Sequence, residues 1–156
     1  MSLTLRPFTD ANEALETMTQ LRHECGWDAE KVPEWIRQAQ QGDRINLACE
    51  VSQQESENKT VVVGMISLVL RDDDYQLNID KCLANPETKT AMIKSLFIRH
   101  AYQRKGYGKE SILQLEKFAA SKYGIEIMAL DTAASDVNNM ASIRNWVMSS
   151  FENGFQ

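Results

Sequence analysis

Residues 91–121 have the sequence AMIKSLFIRHAYQRKGYGKESILQLEKFAAS, and this segment determines the predicted architecture. The apolar run at 91–98 has the length and composition of a buried strand. Apolar residues recur at helical spacing over 108–121, which predicts an amphipathic helix. Between the strand and the helix lies the polar turn QRKGYG at 103–108, which contains two glycines. The segment therefore predicts a strand, a glycine-containing turn and a helix in direct succession.

The polar turn has the properties of an anion-binding site. Gly106 and Gly108 allow the backbone to direct several N–H groups toward one point. The helix that follows presents its free N–H groups and the positive end of its dipole to the same point. Arg104 and Lys105 add positive charge beside it. These features favour a pyrophosphate site over the alternative that the two glycines only form a chain reversal.

Two common nucleotide-binding motifs are missing from the sequence. The chain contains no GxxxxGK[ST] sequence, and its Gly-x-Gly lacks a third glycine in register. The sequence therefore argues against a P-loop site and against a dinucleotide-binding fingerprint.

The remaining sequence predicts a mixed α/β domain that spans residues 1–156. Thr9 or Asp10 can cap a first helix, which Gly26 is expected to end. The other predicted elements are strands at 3–7, 46–51, 60–70 and 126–131, a helix at 32–41, and a final helix with Ile143, Trp146, Val147 and Phe151 on its apolar face. This order gives a hairpin-rich first half and a parallel crossover in the second half.

Composition and charge narrow the expected partners. The chain of 156 residues has a formal net charge of −5, whereas nucleic-acid-binding domains usually have a basic excess. No apolar stretch approaches the roughly 20 residues of a membrane helix, and the N-terminus lacks a signal-peptide pattern. The three cysteines have no metal-ligand spacing with each other or with the histidines. We therefore expect a cytoplasmic protein with no nucleic-acid, membrane or metal partner.

The turn QRKGYG resembles the Q/R-x-x-G-x-G/A signature of the GNAT superfamily of N-acetyltransferases. Further similarities are the sequences VGMI at 63–66 and SLFI at 95–98, and the Asn138, Ala141 and Gly154-Phe155 pattern near the end. The resemblance implies the GNAT-type acyl-CoA N-acyltransferase fold, a mixed central sheet flanked by helices. The family usually continues for one or two strands after Gly-Phe, so the C-terminal strands are expected to be truncated.

The same resemblance implies acetyl-CoA as co-substrate. In this family, the strand before the loop carries a bulge whose backbone pairs with the pantetheine arm, and the loop wraps the pyrophosphate. The implied cofactor-binding residues are Leu96, Phe97, Ile98, Gln103, Arg104, Lys105, Gly106, Tyr107, Gly108, Lys109 and Asn138.

The implied reaction is transfer of an acetyl group to a primary amine of a small molecule or peptide by direct attack on the thioester. An ammonium with a pKa of about 10.4 must first lose a proton, for which a carboxylate or a bound water is suitable. The family's usual tyrosine acid is replaced by Asn145. The candidate catalytic residues are Glu87 and Ser142, with Glu24, Asp73, Asp74 and Ser149 as further candidates. The alternative function is a catalytically weak or inactive acyl-CoA-binding module.

The resemblance and the charge pattern also give expectations for the acceptor and the oligomeric state. Acceptor recognition in this family comes from the first two helices and the loop before the fourth strand, which indicates Trp27 and Trp35. The acidic sequence at 72–74 would attract a cationic acceptor. An uncovered edge strand at the truncated end of the sheet would favour pairing between subunits, so we expect a homodimer.

Overall fold

The computed structural model describes residues 2–53, 59–71, 84–130 and 144–147, the last four by their backbone alone. Its strands and helices are β1 (Leu3–Pro7), α1 (Ala11–Cys25), α2 (Val32–Gln40), β2 (Arg44–Ser52), β3 (Thr60–Val69), β4 (Thr90–Ile98), α3 (Tyr107–Tyr123), β5 (Ile127–Leu130) and β6 (Arg144–Val147). Short 3₁₀ turns occupy Ala29–Lys31, Pro86–Thr88 and His100–Tyr102. The elements predicted before residue 131 are confirmed, and none of their predicted bounds is off by more than two residues.

The strands form a six-stranded sheet in the order β1-β2-β3-β4-β5-β6. Strands β1 to β4 pair antiparallel, β5 lies parallel to β4, and β6 lies antiparallel to β5. Helix α3 connects β4 to β5 and so forms the crossover that a parallel pair requires. The predicted mixed α/β architecture is therefore confirmed.

The helix predicted near the end of the chain is wrong over Arg144–Val147. These residues form β6, in which Val147 pairs with Ile127 and Trp146 pairs with Met128. Aromatic and β-branched residues have high β propensity, and a short apolar run does not distinguish a helix from a strand. Pairing with the edge of β5 therefore decides the structure here, and the rest of the predicted helix lies outside the described residues.

Local signals define both ends of α1. The Asp10 Oδ1 atom accepts hydrogen bonds from the backbone N–H groups of Asn12 and Glu13, at 2.8 and 3.1 Å. Two donors of the first helical turn are thereby satisfied. Gly26 follows the helix with a φ of 89°, in the left-handed region that a residue without a Cβ adopts readily.

Helices cover both faces of the sheet. Met65 and Phe97 pack in one apolar cluster with residues of α1 and α2. Their chain neighbours Ile66 and Ile98 pack in a second cluster, which includes Leu115 of α3. Because successive strand residues point to opposite faces, α1 and α2 lie on one side of the sheet and α3 lies on the other.

Candidate functional site

Strand β4 carries a bulge opposite Ile66. The ladder pairs on either side of the register shift are Met65 with Phe97 and Ser67 with Lys94. One residue of β3 therefore faces two residues of β4, Ser95 and Leu96, which is the pattern of a β-bulge. Ser95 has a φ of 58°, and a residue with a Cβ is uncommon in this left-handed region. The structure thus contains the bulge that the family resemblance implied.

Gly64 allows β3 to approach the bulged strand closely. A Cβ at this position would lie 2.2 Å from the carbonyl oxygen of Phe97 and 2.9 Å from Cδ1 of Ile98. Such contacts are too short for any side chain, so the spacing of the two strands requires a glycine. In the sequence, Gly64 stands out only as part of the VGMI similarity, because its steric role depends on a strand far away in the chain.

The bulge lies just beyond the described pairing of β4 with β5. The paired residues of these two parallel strands extend from Thr90 with Ile127 to Ile93 with Leu130. Within the described part of the chain, residues 94–98 pair with β3 alone. From the bulge to the end of β4, no described strand pairs with the outer edge of β4, and this stretch is called the open edge.

Three predicted cofactor-binding residues, Leu96, Phe97 and Ile98, lie along this open edge. Phe97 and Ile98 are each only 8% exposed, and they pack in the clusters on opposite faces of the sheet. Leu96 packs against the cluster on the α3 side. Their side chains therefore belong to the core, and the groups left for a ligand are mainly backbone N–H and C=O.

The loop after β4 leads directly into α3. The side-chain amide of Gln103 donates a hydrogen bond to the carbonyl of Ile98 at 2.7 Å, which anchors the start of the loop. Arg104 and Gly106 both have left-handed backbone, with φ of 64° and 83°. Helix α3 then begins at Tyr107 without a side-chain hydrogen bond at its N-terminus. Its first N–H groups are therefore left for solvent or for an anion.

The described residues leave the space in front of this loop open. A Cβ built at Gly106 or at Gly108 would meet no atom within 4 Å. The cations of the predicted site, Arg104, Lys105 and Lys109, are exposed. Tyr107 differs from them because it is 5% exposed and packs in the core. It can therefore offer a ligand its backbone N–H but not its ring.

Glu24, at the end of α1, ties that helix to the beginning of the loop. Its carboxylate accepts hydrogen bonds from Nε of Arg99 at 3.0 Å and from the backbone N–H of His100 at 3.1 Å. Desolvation raises the pKa of Glu24, but the bonds from Arg99 and His100 together outweigh it, and the pKa is lowered. The carboxylate of this candidate base is therefore ionised and engaged in a structural contact.

Two arginines missed by the sequence analysis lie behind the bulge. Arg22 and Arg44 are only 6% and 4% exposed, and their guanidinium carbons lie 5.5 and 4.4 Å from the centre of the Trp35 ring. Trp35 is itself 8% exposed. Its ring therefore packs beside two cations and presents little surface to an acceptor. The one sequence signal for Arg22 is its position four residues after Met18, on the buried face of α1.

The other predicted site residues are dispersed. Trp27 follows α1 and is 72% exposed, which leaves its ring accessible to an acceptor. Glu87 lies in the exposed turn before β4. Thr90, the first residue of β4, is five strand residues from Ser95, which corresponds to roughly 17 Å. Glu87 precedes Thr90 and is therefore out of direct reach of the bulge. Asn138 and Ser142 lie outside the described residues.

No group of three or more histidine, cysteine, aspartate or glutamate side chains that could hold a metal occurs within the described ranges. None of the helices described is long and apolar enough to cross a membrane.

The sheet order, the opening beside the β4 bulge and the glycine turn before α3 are together features of an acyltransferase fold. The chain belongs to the acetyltransferase (GNAT) family, whose model matches residues 12–146. The predicted family and fold class are therefore confirmed. Family membership supports acyl transfer in general, with acetyl-CoA as the donor that the family uses.

Solved structures with the same fold are distant in sequence. The PaiA N-acetyltransferase of Thermoplasma acidophilum, in complex with coenzyme A, is 20% identical, with a TM-score of 0.53 over 100% of this chain and 91% of the other. The ribosomal L7/L12 α-N-protein acetyltransferase RimL is 16% identical, with a TM-score of 0.60 over 87% and 70%. The dodecameric spermidine N-acetyltransferase of Vibrio cholerae is 14% identical, with a TM-score of 0.59 over 85% and 70%. No curated protein sequence matches the chain.

Proposed function

We propose that the chain is an acetyl-CoA-dependent N-acetyltransferase that transfers an acetyl group to a primary amine of a small molecule or peptide. The observation that carries the proposal is the succession of three features along one short segment. The open edge of β4 is followed by left-handed backbone at Arg104 and Gly106, and then by the uncapped N-terminus of α3. One extended ligand with an anionic centre can contact all three.

The loop 103–109 would hold the pyrophosphate of the donor. Left-handed residues within a turn direct successive backbone N–H groups to one side, which forms an anion-binding concavity. The N-terminus of α3 adds its own N–H groups and about half a positive charge from the helix dipole. The exposed side chains of Arg104, Lys105 and Lys109 supply further positive charge. Open space at Gly106 and Gly108 lets the phosphate oxygens approach the backbone.

The open edge of β4 would hold the pantetheine arm. An extended chain with amide groups can pair with an exposed strand edge through main-chain hydrogen bonds, as a peptide does in β-augmentation. No described strand pairs with the outer edge at Leu96, Phe97 and Ile98, which supports this assignment. An arm bound there would bring the thioester to the bulge, where a backbone N–H can stabilise the oxyanion that forms during attack.

Two proton transfers belong to the proposed reaction, one from the amine and one to the leaving thiolate. The amine must be neutral to attack, and its proton can pass to water held by a carboxylate. Glu87 is too far from the bulge to act directly, so we propose it only as the end of a water relay. We retain Ser142 as the candidate donor to the leaving thiolate. We retain Trp27 as the candidate acceptor-binding residue. Its exposed ring can pack against the carbon chain of an alkylamine or form a cation–π contact with the ammonium group.

The proposal is tested first by the binding of acetyl-CoA and then by its turnover with amines. A ligand at 100 times its dissociation constant stabilises the native state by about 2.7 kcal/mol. For a chain of this size, that corresponds to a rise in Tm of about 5–10 °C. Release of free thiol from acetyl-CoA is then measured with a panel of amines that includes polyamines, amino acids and peptides. Failure of saturating acetyl-CoA to shift the Tm would defeat the proposal.

The same experiment separates the enzyme from the acyl-CoA-binding module. The one observation that favours the module is that the described candidate bases are either engaged, as Glu24 is, or remote, as Glu87 is. A thermal shift without thiol release for any amine would support the module. Thiol release that depends on one class of amine supports the transferase and identifies its acceptor class.

The glycine loop is tested by substitution of Gly108. We expect Gly108→Trp to abolish acetyl-CoA binding, because the indole would fill the open space through which a phosphate reaches the backbone. Gly108→Ala is the matched control: its Cβ meets no atom within 4 Å, and binding should be retained. Isothermal titration with acetyl-CoA measures both variants. Unchanged affinity in the tryptophan variant would show that the pyrophosphate lies elsewhere.

We also propose that the chain forms a homodimer. Among the described strands, β6 is at one edge of the sheet, and an edge strand offers unpaired main-chain groups to a second subunit. Light scattering at increasing protein concentration tests this proposal, and a constant monomer mass would refute it.

A further inference from the structure

Ser95 is held in its unfavourable conformation by two buried cations. The hydroxyl of Ser95 accepts a hydrogen bond from Nη2 of Arg44 at 2.8 Å. Its carbonyl oxygen accepts one from Nη1 of Arg22 at 3.4 Å. A residue with a Cβ resists a φ of 58°, so this conformation persists only where its surroundings impose it. The two guanidinium groups supply that constraint.

The contacts of Ser95 belong to a larger buried network. Nε of Arg44 donates to Oδ1 of Asn46 at 2.8 Å, and the hydroxyl of Ser67 donates to the same oxygen at 2.8 Å. The amide of Asn46 donates to the carbonyl of Trp35 at 3.1 Å. Arg44, Asn46, Ser67 and Trp35 are each less than 9% exposed, and Ser95 is partly buried. The network therefore connects α2, β2 and β3 to the bulge of β4.

Arg22 extends this network to the first helix and the turn after it. Its Nε donates to the carbonyl of Trp27 at 2.9 Å, and its guanidinium lies beside the Trp35 ring. A single side chain thus contacts both the turn that carries the exposed Trp27 and the carbonyl of the bulge. Buried hydrogen-bond networks of this kind restrict local motion when their members are satisfied.

We propose that Ser95, Arg44 and Arg22 are positioning residues that fix the peptide between Ser95 and Leu96, and thereby orient the N–H of Leu96 toward the acyl carbonyl oxygen. In a trans peptide the C=O of Ser95 and the N–H of Leu96 point in opposite directions. The contact of Arg22 with that carbonyl therefore sets the direction of the Leu96 N–H. This inference rests on the proposed function, because the acyl carbonyl is brought to the bulge by bound acetyl-CoA.

The inference is tested by comparing acetyl-CoA with coenzyme A, which lacks the acyl carbonyl. In Ser95→Gly, the glycine accepts the left-handed backbone but loses the hydroxyl that Arg44 holds. We expect affinity for acetyl-CoA to fall roughly tenfold, the value of about one hydrogen bond, while affinity for coenzyme A stays within about twofold because the pyrophosphate loop is intact. Arg22→Lys keeps the charge but loses the geometry of the guanidinium, and we expect the same selective loss.

The control is Ser52→Gly, which makes the same substitution at the exposed end of β2, away from the network. Isothermal titration of both ligands and the Tm are measured for every variant. Equal losses for the two ligands, or no loss, would overturn the inference while leaving the proposed function intact. If Ser95→Gly and Arg22→Lys both fail to fold, the network has a role in folding only and the inference is also overturned. Failure of the wild-type chain to bind either ligand would defeat the proposed function itself.

Discussion

Replacement of Gly64 by alanine should separate β3 from β4 at the bulge. The added Cβ would lie 2.2 Å from the carbonyl oxygen of Phe97, whereas ordinary contacts begin at 3.4 Å. The strands would therefore have to move apart by about 1.2 Å, the difference between these distances. The nearest atom belongs to the backbone and cannot rotate away, as the end of a flexible side chain could.

The expected cost is at the upper end of the range for overpacked cores. Such substitutions usually destabilise by about 1–3 kcal/mol, and movement of two paired strands also lengthens their hydrogen bonds. A loss of about 3 kcal/mol is a large part of a typical stability of about 5–15 kcal/mol. It should lower the Tm by about 6–12 °C in a chain of this length. Urea unfolding monitored by circular dichroism measures the loss directly.

The same variant should bind acetyl-CoA more weakly, since Gly64 pairs with the part of β4 whose outer edge is proposed to hold the pantetheine arm. Gly108→Ala is the control for stability, because its Cβ meets no atom within 4 Å and its position is helical. The control should be as stable as the wild-type chain or slightly more stable. An unchanged Tm and an unchanged affinity in Gly64→Ala would show that the gap widens without cost, and the steric role assigned to Gly64 would be refuted.

Two further predictions follow from the titratable groups. The hydrogen bonds to Glu24 lower its pKa below the ordinary value of 4.5, so its contribution to stability is present above that value and is lost as the pH falls through the lower folded-state value. Glu24→Gln should therefore lower the free energy of unfolding by about 0.5–1 kcal/mol at neutral pH and by almost nothing below the folded-state pKa. Urea unfolding measures this difference, and a loss that does not depend on pH would contradict the prediction. Burial raises the pKa of the Cys49 thiol to about 11. A thiol reagent near neutral pH should therefore label the partly exposed Cys25 and spare Cys49 until the chain unfolds, which peptide mass mapping can show. Rapid labelling of Cys49 in the native protein would be inconsistent with its burial.

The parts of the fold that the sequence predicted are those with local causes. Asp10 caps α1 and Gly26 ends it, and both residues act on backbone groups within a few positions of themselves. The glycine turn at 103–108 was identified for the same reason, since the strand before it and the helix after it are read from neighbouring residues. The strand Arg144–Val147 was missed because its structure is decided by a partner strand rather than by its own spacing.

The parts of the site that could not be predicted depend on contacts between distant residues. The sequence marks Arg22 and Arg44 as charged, and charged residues are mostly exposed, yet both are buried beside Trp35. The left-handed conformation of Ser95 has no local signal either, because glycine and asparagine are the usual residues there. It arises from the register shift against β3 and from the guanidinium groups that hold it.

The two halves of the proposed site differ in what their chemistry requires. The donor half consists mainly of backbone groups: the open edge of β4, the left-handed loop and the N-terminus of α3. Backbone geometry can be kept while most side chains change, which accounts for structures only 14–20% identical that share this fold. The acceptor half depends on individual side chains, such as the exposed Trp27 and the residues that move the proton. Binding of acetyl-CoA and choice of acceptor should therefore be separable. Gly108→Trp and Ser95→Gly should alter the first, and Trp27→Ala should raise the KM for the amine while leaving the affinity for acetyl-CoA unchanged.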